Sequence, residues 1–449
     1  MRELYSWAWV EEQVAETIVV WNDCARRPWQ GSPRFTPKEQ RKREKAYDEG
    51  LRAVEREARK APRTRAERLE AQRRTVAAFP RFAATALGLE GETVQLLSDG
   101  FLPAGTQFAR WARRLDPTLS MADTIQACRN AWTACGLQPL LGEAMGLTPS
   151  IVGYSLLYPY SDNYLDDEKV SKAEKLEFSA RFRERLCGRR LEVRNHREAA
   201  VWTMVQLIEE QYPRLSYPQV FECLRAIHRA QELSIAQLNN CGDCDNSEVL
   251  RISCAKGGTS VLADACLSHG WLGEEESRLA FEWGALLQLG DDLQDVREDL
   301  RRGSATLFSR AAATGKQLDN LAAQLLNLSE RVADRMDRLP SGPAPLKELL
   351  RMSWRSLILM AVAGAQEFFS PSFLAELESS SPFRFDFQRA RNKRLAGRQG
   401  LYAVLFEAFL EAGEGDKDGM LLLADGMGSS VEVEADPVLE LVAAGSSWA

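Results

Sequence analysis

The stretch from Leu286 to Gly303, LLQLGDDLQDVREDLRRG, constrains this chain more than any other, because it sets a carboxylate at every fourth position: Asp291, Asp295 and Asp299, with Asp292 beside them. On a helix, residues four apart share a face, so the three carboxylates stack. Like charges at that spacing cost a helix about 0.2–0.5 kcal/mol per pair. The stack is therefore either a well-solvated surface or a place where cations neutralise it. Just upstream, Leu279, Ala280, Trp283, Leu286, Leu287 and Leu289 make the same helix apolar enough to be buried. A buried helix that runs into stacked acids delivers them to the edge of a core.

The remainder of the chain obeys the same helical period. β-branched alternation bounded by turn residues hardly occurs, so the expected fold class is all-α. Residues 1–75 read as an N-terminal helical extension: a first helix carrying Trp7, Trp9, Val10, Val14, Ile18 and Val19, then a segment of mixed charge at 37–75 expected to form a solvated helical pair. Residues 76–370 form the main domain, with helices expected at 171–187, 193–211, 217–239 and 246–269, then 304–313, 316–338 and 345–369. A C-terminal helical segment fills 371–412. Residues 413–449, rich in Gly, Asp, Glu and Ser, read as an acidic tail expected to be mobile.

Composition narrows the partners. The 449 residues carry a formal charge of -7, without the basic excess of a nucleic-acid or anionic-membrane binder. The start, MRELYSWAWVEE, lacks the basic and apolar segments of a signal peptide, and no run of about 18 apolar residues occurs. A cytoplasmic protein with no integral membrane segment is expected. The nine cysteines are scattered through helical patterns, which suits reduced thiols packed as small hydrophobes. Cys241 and Cys244 form a single C-x-x-C without the second pair that a zinc site would add. Only three histidines exist, His196, His228 and His269, so the search for chemistry turns to carboxylates.

A second stretch, PSIVGYSLLYPYSDNYLDDEKV at 149–170, spaces Tyr154, Tyr158, Asp162 and Asp166 by four, with Asp167 adjacent. Pro159 is expected to kink that helix. Two helices thus carry an apolar or aromatic wall that ends in acids. Hard divalent cations suit such a pair, because magnesium is commonly held by a few carboxylates, waters and substrate phosphates. Tyr154, Tyr158 and Trp283 would offer ring faces to a carbocation, with plain core packing as the alternative. Arg297, Arg301 and Arg302 would contact phosphate, or pair with nearby acids as helix C-terminal cations.

These residues resemble the class I isoprenoid synthases, the superfamily of terpene cyclases and prenyl diphosphate synthases. DDLQD, with Gln288 three residues before it, resembles their second aspartate-rich motif, and DNYLDD at Asp162, Asp166 and Asp167 is similar to the first, as D-x-x-x-D-D. Between them KGGTSVLADACLSHG, from Lys256, resembles the Lys-Thr segment that contacts diphosphate, with Gly257 in place of Thr. Gln237, in AQLNNCGD, is similar to the Gln of the chain-elongating enzymes. The resemblance covers roughly residues 120–310. It implies a bundle of antiparallel helices around a central apolar cavity lined by Tyr154, Tyr158, Gln237, Trp283, Leu287 and Gln288. It further implies three Mg2+ ions, with Mn2+ as the alternative ion, a prenyl diphosphate substrate and a homodimer. Asp162, Asp166, Asp291 and Asp295 would act in catalysis, with Asp167, Asp292 and Asp299 as further metal ligands. Lys256, Arg297, Arg301 and Arg302 would hold the diphosphate.

The departures favour one reaction. The Gly-Lys of the segment that holds a second diphosphate is missing from ARRLDP at Arg113 and Arg114, and no Arg-Arg-Gly follows Asp167. Ionisation and cyclisation or quenching of one prenyl diphosphate is therefore the leading expectation. Condensation of two isoprenoids, head-to-tail or in the squalene and phytoene synthase manner, is the alternative, and a non-catalytic helical protein of the same fold is the third. Two metal registers stay open: Asp291, Asp292 and Asp295, or Asp291, Asp295 and Asp299.

Overall fold

Helix starts follow capping chemistry written in the sequence. Thr36 with Glu39, Thr64 with Glu67 and Ser171 with Glu174 each form a capping box, the hydroxyl accepting from the third helical N–H while the Glu carboxylate accepts from the cap's own N–H. The computed structural model describes residues 5–24, 29, 34–166, 169–238 and 245–412, and among them every regular element is a helix. Tyr158, Asp162 and Asp166 on their helix, and Gln237 on its own, have side chains outside this description, as do Asp167, Cys241, Cys244 and the tail at 413–449.

In chain order the α-helices begin with α1 (Trp7–Cys24), α2 (Pro37–Arg59), α3 (Arg65–Phe82), α4 (Gly91–Leu96), α5 (Leu102–Leu115) and α6 (Met121–Leu140). The centre follows with α7 (Pro149–Asp166), α8 (Lys172–Leu186), α9 (His196–Gln211), α10 (Pro218–Leu238), α11 (Asn246–His269) and α12 (Glu274–Gln294). Then come α13 (Val296–Arg302), α14 (Leu307–Ala313), α15 (Asp319–Arg338), α16 (Ala344–Gly364), α17 (Pro371–Ser379), α18 (Phe385–Ala396) and α19 (Gln399–Ala412). The expected kink at Pro159 does not interrupt α7, which is helical from Pro149 to Asp166.

The pair α11 and α12 sits at the centre. A Cβ added at Gly257 would lie 2.2 Å from the Gly284 carbonyl oxygen, and one added at Gly284 would lie 2.0 Å from the Gly257 oxygen. Glycine at both positions therefore lets the two backbones touch. This accounts for Gly257 where the resembled motif has Thr. Around the pair, α10, α6 and α1 cover α11, while α15 and α16 cover α12. Trp283 is buried on the α16 side, edge-to-face with Trp354 at 5.1 Å.

The ends of the chain are joined to this core. One cluster of buried apolar residues runs from Tyr5 to Tyr402, across the expected divisions at 75 and 370. The charged segment at 37–75 differs from the solvated pair its composition suggests. Glu44 and Glu55 are buried, and each is met by arginine from the C-terminal helices: Arg384 holds Glu44 through two nitrogens at 2.5 and 2.9 Å, and Arg394 holds Glu55 at 2.9 and 3.0 Å. Tyr402 adds a third donor to Glu55 at 3.0 Å. Charge pairing across 340 residues of sequence separation is invisible to a local window. No helix among the described residues is long and apolar enough to cross a membrane.

Candidate functional site

The acids straddle the junction between α12 and α13, where the helix breaks at Asp295. Asp295 closes α12 and opens α13, yet its N–H donates to the Asp291 carbonyl at 2.9 Å, and the Asp299 N–H donates to the Asp295 carbonyl at 2.9 Å. Asp292 belongs to the same cluster but also engages α11. It is buried against α11, where its carboxylate accepts from Ser253 Oγ at 2.8 Å and from Gln288 Nε2 at 2.9 Å. Burial raises its carboxyl, opposed by those two bonds and by Lys256.

Asp291 combines two environments: its side chain is exposed to water, yet many protein atoms crowd around it. That crowding pushes its carboxyl up to about 7, tempered by Arg129 and Lys256 and reinforced by Asp292 and Asp295. Asp299 is likewise pushed up to about 7, by burial first and then by Asp292 and Asp295, against a hydrogen bond with Thr306 and the charge of Arg302. Asp295 is raised by burial and by Glu298, against Gln294, Arg302 and Arg129. These acids hold mutual repulsion that three cations, Arg129 on α6, Lys256 on α11 and Arg302 on α13, only partly relieve.

The arginines of the stretch divide. Arg297 is paired with Glu367 on an exposed face, and Arg301 with Glu298, so both are turned to acids outside the stack. Position 297 is two residues past Asp295, which on a helix is the opposite side. Arg302 meets Glu298 at 2.8 Å while still acting on Asp295 and Asp299. Arg129 was not among the residues that motif reading picked out; the sign of it was the polar pair Arg129-Asn130 inside the otherwise apolar helix TIQACRNAWTACGLQPLL.

A cavity of about 60 Å³ is lined by α6, α7, α8, α10 and α11. Tyr154, Leu157 and Ser161 come from α7, Phe182 and Leu186 from α8, Leu224, Ile227, His228 and Gln231 from α10, with Asn130 and Ser260 completing it. Tyr154 donates its hydroxyl to the Ser260 carbonyl at 3.2 Å. Ser260 is one turn beyond Lys256 on α11, so the cavity and the cluster share a helix face. Asn130 ties three helices together: its Nδ2 donates to Asp264 Oδ1 at 2.9 Å and to Ser155 Oγ at 3.3 Å. Burial pushes the Asp264 carboxyl well above the usual range, with Asn130 opposing. Of the residues expected to line a cavity, Tyr154 does so, whereas Trp283 faces the core, Leu287 is half-buried against it, and Gln288 is engaged with Asp292.

Among the described residues no three His, Cys, Asp or Glu side chains close on a single point as a ready metal cage. No family model, curated protein or solved structure matches this chain.

Proposed function

We propose that this protein is a class I terpene synthase, which ionises a linear prenyl diphosphate with magnesium and lets the resulting carbocation cyclise or be quenched in the cavity. The observation that carries the reading is the convergence of Arg129 and Lys256, from two other helices, on a carboxylate stack whose members repel one another. Such a set fits hard divalent cations, which take a few carboxylate oxygens and complete their shell with water and phosphate rather than needing a closed cage. Asp291, Asp295 and Asp299 would hold the ions, since Asp292 is committed to Ser253 and Gln288. Asp162, Asp166 and Asp167, through the resemblance of DNYLDD to the first aspartate-rich motif, would supply the second set.

When bound, the ions supply charge that stabilises the departing diphosphate. The chain's own residues do the rest. Lys256 and Arg129 orient the diphosphate and offset the negative charge that develops on it as the carbon–oxygen bond breaks. The apolar lining from Leu157, Phe182, Leu186, Leu224 and Ile227 shields the cation from bulk water. At about 60 Å³ the cavity has room for roughly four waters. A prenyl chain therefore enters only with movement of lining side chains. Condensation of two substrates has less support, because Arg113, the nearest candidate for a second diphosphate, is spent on Glu407 at 2.6 Å and on the Pro117 carbonyl at 2.9 Å.

The test is incubation with geranyl, farnesyl, geranylgeranyl or geranylfarnesyl diphosphate and magnesium, with and without isopentenyl diphosphate. Hydrocarbon or alcohol from one substrate supports the proposal. A longer diphosphate that forms only with both substrates moves the assignment to a prenyltransferase, and no turnover of any of them removes it.

A further inference from the structure

The cavity wall is apolar in the main but not throughout. Asn130, Tyr154, Ser161, His228, Gln231 and Ser260 all line it. Several of these side chains have their hydrogens directed elsewhere. Both Nδ2 hydrogens of Asn130 go to Asp264 and Ser155, which leaves its carbonyl oxygen as the group it can offer to a guest. The Tyr154 hydroxyl donates to the Ser260 carbonyl, and the Ser161 hydroxyl donates to the Leu157 carbonyl at 2.7 Å.

His228 is the most informative member. It is 2 % exposed, and its Nε2 lies 3.0 Å from the Ser179 carbonyl oxygen. A carbonyl only accepts, so Nε2 carries the hydrogen. Glu232 stands 3.5 Å from the same nitrogen and is itself fixed by Ser179 Oγ at 2.7 Å. Nδ1 is buried and has no hydrogen-bond partner. Leaving a buried acceptor unsatisfied costs about 1–3 kcal/mol, which asks for an explanation in a guest. The free carbonyl oxygen of Asn130 and the unused ring nitrogen of His228 both call for a guest that donates hydrogen bonds, and water is small enough to share the cavity with a substrate.

Resting on the function proposed above, we infer that the cation is quenched by a water held against Asn130, Ser260 and His228, so that the product is an alcohol. The carbon–oxygen bond to diphosphate breaks with its electron pair leaving on the diphosphate. The water oxygen donates a lone pair to the cationic carbon, forming a new carbon–oxygen bond, and the proton released passes to Nδ1 of His228. The sum is substrate plus water giving alcohol plus diphosphate, with no redox change.

The experiment is turnover of prenyl diphosphates with magnesium in oxygen-18 water, read as diphosphate released and as the ratio of alcohol to olefin. The wild type is expected to give mainly alcohol that carries the solvent label. Ser260→Ala and His228→Phe, made separately so that a folding failure in one leaves the other, are each expected to lower the alcohol-to-olefin ratio about tenfold, the effect of one lost hydrogen bond of about 1.4 kcal/mol. That ratio is unaffected by a general loss of active protein. Diphosphate release with olefin alone, or an unchanged ratio in both variants, overturns the inference while leaving the proposed function standing. No diphosphate release from any chain length overturns both.

Discussion

Gly257→Ala is the substitution whose outcome follows most closely from the geometry. By helix propensity alone it should stabilise, since alanine is better than glycine by about 1 kcal/mol in a helix interior. Here the new Cβ meets the Gly284 carbonyl oxygen at 2.2 Å and Gln288 Cβ at 2.5 Å. A backbone carbonyl inside a helix cannot rotate away, so α11 and α12 must move apart by about 1 Å, which forfeits a quarter to a half of the dispersion energy of each contact along the seam. Overpacking of this kind costs about 1–3 kcal/mol, and the lost contacts add to it, so a net destabilisation of about 2 kcal/mol remains after the propensity gain. Guanidinium unfolding followed by circular dichroism measures it. Gly364→Ala is the internal control, because nothing lies within 4 Å of its Cβ position and the change should be neutral or stabilising. If Gly257→Ala is as stable as the wild type, the close approach of the two helices is wrong. The account of how Ser253 and Lys256 reach Asp292 would fall with it.

The two carboxylate registers separate by mutation: Asp299→Asn should weaken magnesium binding by about tenfold or more, while Asp292→Asn, turned toward Ser253, should weaken it less. Equal losses would contradict the assignment. The raised carboxyls also set a pH dependence in metal-free protein. Unfolded, Asp291 and Asp299 ionise near 3.8, but folded only at about 7, so their ionisation opposes folding and stability is lost as pH rises through that interval. The double Asp291→Asn, Asp299→Asn variant should therefore gain on the wild type between pH 5 and pH 8 in EDTA melts, and a constant difference would refute the raised values. Glu55→Ala leaves Arg394 and its neighbours without their buried partner and should cost about 3 kcal/mol, with faster proteolysis at α18 and α19 as the readout.

What was readable in the sequence is what depends on neighbours in the chain. Apolar period and turn chemistry place α8 to α11 within a few residues of the expected ranges, and Ser171 and Asp245 cap two of these helices with their own side chains. The stack at Asp291, Asp295 and Asp299 was equally plain. What depends on packing was not. Asp292 differs from Asp291 by one position, about 100° of helical rotation, and only the presence of α11 on that side turns it into a buried, hydrogen-bonded group. Arg129 reaches the acids from α6, and His228 and Phe182 come to the cavity from helices with no motif. Trp283 shares the spacing of a cavity aromatic but meets Trp354, since a regular period gives a face and not the identity of what covers it.

The central claim is a clamp of carboxylates and cations for a metal–diphosphate group, and titration calorimetry of inorganic diphosphate, with and without magnesium, tests it most directly. The account predicts binding that requires magnesium and disappears when Asp291 and Asp295 are both replaced by alanine in a protein that still melts cooperatively. Diphosphate binding that is indifferent to magnesium, or that survives the paired substitution unchanged, would contradict it.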